Sequence, residues 1–98
     1  ALCSASANDR LRICFDVAHA HVYSRESSEL WFQKAEPYIA HLHLSDNDGK
    51  HDQELAAGEG TLRWDPVRDY LKKHSSITAT LEVIGEAASI KTYKVLAL

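Results

Sequence analysis

Methionine is absent from the 98 residues. A chain that opens on "ALCSASANDR" without an initiator residue reads as a piece of something longer. That opening has neither the basic start nor the long apolar stretch of a secretory signal. Cysteine is scarce. Cys3 and Cys14 make no CxxC pair and no disulfide framework, which excludes a stapled secreted scaffold and points to a cytoplasmic home. No apolar run approaches the roughly 20 residues that cross a bilayer. No basic run appears either: 11 Lys and Arg stand against 14 Asp and Glu, a formal charge of −3. Nucleic acid and anionic membranes therefore have no electrostatic support as partners. What is left, 45% hydrophobic and 26% charged, has the balance of a globular chain of at most one small domain.

Apolar and helix-forming stretches alternate. "ALCSASAN" (1–8) reads as a helix end or a linker, and "LRICF" (11–15) as a buried strand. "ESSELWFQKAE" (26–36) reads as a helix capped by Ser27 or Ser28 and ended by Pro37, with Leu30, Trp31 and Ala35 on its buried stripe. "IAHLHL" (39–44) is the next strand. A polar loop from Asp46 to Gly60 follows, with an Asp-Gly turn at 48–49. Asp65-Pro66 starts a helix whose inner face is Val67, Tyr70 and Leu71. "ITATLEVI" (77–84) is a β-branched strand and "EAASIKTYKVLAL" a closing helix. Trp31, Tyr70, Tyr93 and Cys14 are expected in the core. The order β-α-β-α-β-α predicts an α/β fold with a parallel sheet. Three such units leave one sheet face open, and an eight-unit barrel of about 250 residues would cover it. The 98 residues therefore read as the C-terminal three-eighths of a (β/α)₈ barrel, with no complete domain.

Each strand delivers one metal-competent side chain at or near its carboxyl end, the edge where such folds do chemistry: Asp16, His43 and Glu82. One Asp, one His and one Glu make a hard-to-borderline set suited to Mn²⁺, Mg²⁺, Co²⁺ or Zn²⁺. The stretch "HLHLSDNDGKHD" (41–52) adds a dense run of imidazoles and carboxylates. His19, on a loop leaving the first strand, is a candidate substrate contact or ligand of a second metal. Asp52 and Glu54, two apart, share a face in an extended segment and are candidates for the same roles. His41 is expected to face away from His43 and to be structural. His21 and His74 read as solvated or packed. Asp16 has the simpler alternative of capping the turn that follows it. Glu82 has no such alternative, since a buried glutamate without a partner costs several kcal/mol.

The segments "FDVAHAH" (15–21), "HLHLSDNDGKHDQELAAGEG" (41–60) and "TLEV" (80–83) resemble the last three βα units of the xylose isomerase-like TIM barrels. That superfamily includes sugar-phosphate isomerases and epimerases, ketose 3-epimerases, inosose dehydratases and endonuclease IV. The resemblance implies that Asp16, His43 and Glu82 are ligands of a divalent metal ion. It implies that Glu82 also transfers a proton beside a carbonyl, together with a fifth-strand glutamate upstream of residue 1. His19 matches a substrate contact in the epimerases and a zinc ligand in the endonuclease. Asp52 falls on an endonuclease ligand, whereas Glu54 falls where that enzyme has a histidine, which weakens the nuclease reading.

Three functions follow as expectations. The first is a metal-dependent sugar or sugar-phosphate isomerase or epimerase, of which this chain is a C-terminal piece. It would need the N-terminal part of the barrel as its partner and be nearly inactive alone. The second is an abasic-site nuclease, which predicts a positive rim and a full set of zinc histidines. The third is an inactive metal-binding or assembling module, since open sheet edges invite association into a homo-oligomer.

Overall fold

The computed structural model describes residues 12–96. Three parallel strands form one sheet in the order β1 (Ile13–Asp16), β2 (Ile39–Leu44), β3 (Thr78–Leu81). The helices are α1 (Val17–Tyr23), α2 (Ser28–Ala35), α3 (Asp65–Lys73) and α4 (Glu86–Leu96), and a 3₁₀ turn, Glu36–Tyr38, carries Pro37. The parallel α/β order expected from the sequence is the one observed. The stretch 1–8 and the first residue of the expected strand at 11–15 lie outside the described residues.

One element was not expected. His19 and His21 sit on α1, not on a loop. Val and His are indifferent helix formers, so propensity gives little warning. The helix starts because Asp16, in extended conformation, accepts the His19 backbone N–H at 2.9 Å. At the next helix, Ser27 is the cap and accepts from the Leu30 N–H.

The two sheet faces differ in chemistry. One packs under the helices: Phe15, Leu42 and Leu44 are buried there with Val17, Phe32, Val67, Tyr70 and Leu71. Phe32 stacks on Tyr70 at 4.2 Å between ring centres, and the edge of Phe15 meets Phe32 at 5.5 Å. In α2 the buried positions are Phe32 and Ala35, while Leu30 and Trp31 are half-buried. Tyr93 is 62% exposed and not in the core.

The other face carries a grid of polar side chains. Register pairs Cys14 with His41 and Asp16 with His43. It pairs His41 with Thr78 and His43 with Thr80. Side chains two apart on a strand share a face, so His41 lies on the same face as His43, contrary to expectation. Their rings meet edge to face, 5.3 Å apart. Cys14 belongs to this grid too and is exposed, not a core residue. Partial burial first, then the Asp16 and Glu82 carboxylates, push its thiol pKa up.

Candidate metal centre

Asp16 ends β1, His43 is one residue from the end of β2, and Glu82 follows β3 directly. The Glu82 N–H donates to the Leu44 carbonyl at 2.9 Å, which extends the ladder by one residue and keeps its side chain in phase with Thr78 and Thr80. One donor atom from each of Asp16, His43 and Glu82 lies within 4.8 Å of the others. His43 Nδ1 is 2.5 Å from Glu82 Oε1 and 3.9 Å from Asp16 Oδ2.

The donor set fits a divalent cation. Ligands at about 2.1 Å from one ion stand roughly 3 to 4.2 Å apart, so side-chain shifts under an ångström would close the set. Two carboxylates and one imidazole also bring the charge such an ion needs. Glu82 is not buried as expected: its side chain is 36% exposed. The case for a cation therefore rests on convergence with Asp16 and His43 rather than on the cost of burial. Asp16 serves twice, with one oxygen capping α1 and the other turned toward His43.

His19 reaches this group from α1. Its Nδ1 is 3.2 Å from Asp16 Oδ2, and its Nε2 is 3.2 Å from Asp52 Oδ2. The structure thus brings His19 and Asp52 to the edge of the cluster. Glu54 is exposed and joins none of these contacts.

The crowding at 41–52 resolves into separate tasks. Asp48 accepts from the Lys50 and His51 N–H groups and pairs with the His51 ring at 2.8 Å. The His51 ring, first, and then the two N–H groups hold the Asp48 carboxyl well below the usual carboxylate range. Asp46, a fully buried residue, was missed as a structural centre. It accepts from the Asn47 and Leu62 N–H groups on one oxygen. On the other it accepts from the Gly58 N–H and the Trp64 indole. Its signal in the sequence was an Asp two residues after a buried strand, with a loop containing three glycines beyond. Gly60 crosses this knot so closely that a Cβ there would collide with the Asn47 carbonyl oxygen and Asp46 Oδ1. His21 donates to or accepts from Thr61 Oγ1 at 2.8 Å, which ties α1 to the same loop. His74 lies beside Tyr70 and pairs with Glu36 at 2.8 Å.

A parallel α/β sheet with acid and imidazole side chains gathered at its carboxyl edge is the arrangement of α/β barrels and doubly wound folds. The chain belongs to the xylose isomerase-like TIM barrel family, whose model matches residues 1–96. A D-tagatose 3-epimerase-like protein superposes with a TM-score of 0.75 at 26% identity, over 88% of this chain and 33% of its own. The TTHB071 protein of Thermus thermophilus, in crystals soaked with ZnCl₂, superposes with a TM-score of 0.74 at 35% identity, over 98% of this chain and 37% of its own. A protein of Methanocaldococcus jannaschii, described as uncharacterized, is 31% identical over 67 residues, which are 68% of this chain and 26% of that protein. The chain thus spans between a quarter and two-fifths of the relatives it matches. Among the described residues, no helix is long and apolar enough to cross a membrane.

Proposed function

We propose that these residues are the last three βα units of a divalent-metal-dependent sugar or sugar-phosphate isomerase or epimerase. One observation carries the reading: Asp16, His43 and Glu82, from three adjacent strands, converge at the sheet's carboxyl edge. Family membership and the likeness to a 3-epimerase-like structure support it. A bound Mn²⁺, Mg²⁺, Co²⁺ or Zn²⁺ would polarise the carbonyl and hydroxyl oxygens of the sugar.

The chain's own residues divide the remaining tasks. Asp16 and His43 would hold the ion. Glu82, half-exposed at the open face, also accepts or returns a proton at the carbon beside the carbonyl. His19 stands over Asp16 with half its surface exposed, and release of Asp52 would free its Nε2 for a sugar hydroxyl. A second carboxylate, on a preceding strand outside this chain, completes the acid–base pair. The other βα units of the barrel are then the partner these residues require, and turnover by the 98 residues alone is expected to be negligible.

The test uses the uninterrupted protein that carries this segment. In D₂O with Mn²⁺ and a ketose, deuterium should enter the carbon beside the carbonyl. Glu82→Gln should slow that exchange by about 10²-fold or more. Full exchange in Glu82→Gln removes its proton-transfer role. Cleavage of abasic DNA without any ketose exchange replaces the sugar reading with the nuclease one.

A further inference from the structure

The three side chains of the centre do not explain how the His43 ring keeps its orientation. A metal-bound histidine usually has its second nitrogen tied to a carboxylate, carbonyl or water, and that bond fixes the ring. Here Nδ1 is the nitrogen turned toward Glu82 and Asp16. No described residue hydrogen-bonds His43 Nε2. What touches the ring instead is His41, one layer further into the sheet, at 5.3 Å and an interplanar angle of 88°.

His41 is itself held at both nitrogens. Nδ1 lies 2.6 Å from Thr78 Oγ1 and Nε2 lies 2.8 Å from Thr80 Oγ1. A threonine hydroxyl can donate or accept, so a neutral imidazole donates to one and accepts from the other. Rotation of the ring would break both bonds. Register explains the arrangement: Thr78 is directly across from His41 and Thr80 directly across from His43, so the His41 ring spans the two rows.

We propose that His41 is a positioning residue for the centre: clamped by Thr78 and Thr80, it presents a fixed ring against which His43 is set at right angles toward Asp16 and Glu82. The proposal rests on the metal reading for its consequence, but not for its geometry. It assigns a role to an imidazole that stands outside the Asp16, His43 and Glu82 group.

The experiment compares wild type, His41→Ala, His41→Phe and the double variant Thr78→Val with Thr80→Val, all in the full chain. Two readouts are taken: Co²⁺ affinity by calorimetry, and the ring ¹⁵N–¹H correlations of His43 without metal. In wild type, His43 should show one sharp ring environment. His41→Ala should broaden or split it and weaken Co²⁺ binding about tenfold, with backbone spectra still those of a folded chain. His41→Phe keeps an aromatic ring but gives the threonines no nitrogen to hold, so it should disturb His43 about as the threonine double variant does, and less than His41→Ala. Wild-type affinity and unchanged His43 signals in His41→Ala overturn the proposal, as do unchanged His43 signals in His41→Phe or in the threonine double variant. Should His41→Ala not fold, the threonine pair decides: freeing the ring must disturb His43, and an undisturbed His43 overturns the idea. If wild type itself fails to bind Co²⁺, the metal reading falls, while the metal-free His43 signals still judge the role of His41.

Discussion

Asp46 is a fully buried carboxylate that ion-pairs with no described residue. Three backbone N–H groups and one indole satisfy it instead. Asp46→Ala would leave those donors facing a void, and a buried donor without a partner costs about 1–3 kcal/mol. We expect a loss of about 3 kcal/mol or more in urea unfolding, and a loss under about 1 kcal/mol would show that water replaces the carboxylate. Asp48, on the same loop, behaves differently. Its folded pKa is depressed, so its contribution is present above the unfolded carboxylate value of about 4 and is lost as pH falls below it. Protection of the Lys50 and His51 amides, relative to their intrinsic exchange at each pH, should therefore fall on acidification, and Asp48→Asn should remove much of that pH dependence. An unchanged pH profile in Asp48→Asn would refute the assignment. A reader of the sequence sees one crowded stretch at 41–52, and residue types alone do not sort it. Loop closure decides that Asp46 faces N–H groups, Asp48 faces His51 and Asp52 faces His19, while His43 on β2 faces the cluster.

Among the elements, α1 was the one hidden in the sequence, and Asp16 is the reason it exists. This residue combines the two roles that looked like alternatives, cap and candidate ligand, because its two oxygens point different ways. Substitution separates them. Asp16→Ser keeps a capping oxygen and should leave stability nearly unchanged while abolishing metal binding. Asp16→Ala should lose binding and also about 1 kcal/mol of stability. Equal stability of the two variants would show that the cap contributes nothing. The strands were legible because they are short, mostly apolar runs bounded by Pro, Gly and polar clusters. The ends were less so: β3 stops at Leu81, and Ile84, read as strand, is 77% exposed. The facing of His41 followed from strand period alone and was nonetheless misjudged. That of Cys14 needed the knowledge that no described element covers the inner face.

At the scale of the whole molecule, the two faces of the sheet have different fates. The helical side is packed and apolar. The other side presents Cys14, His41, His43, Thr78 and Thr80 without a covering layer among the described residues. Strands β1 and β3 each have a side unpaired by any described strand. A sheet with open edges and an open face seeks partners. Sedimentation of the isolated chain should therefore show species heavier than its 11.0 kDa, and co-expression with the preceding barrel units should convert them to a defined complex. A strictly monodisperse monomer that ignores those units would contradict the barrel-segment reading.

The functional expectations depend on Asp16, His43 and Glu82 sharing one ion. Anomalous diffraction from crystals of this chain, alone or within its barrel, grown with Mn²⁺ tests that directly. The account predicts a single strong peak about 2.0–2.3 Å from a carboxylate oxygen of Asp16, a carboxylate oxygen of Glu82 and a ring nitrogen of His43. A fully occupied peak only at another position, such as the Asp48–His51 pair, or no peak at all, would contradict it.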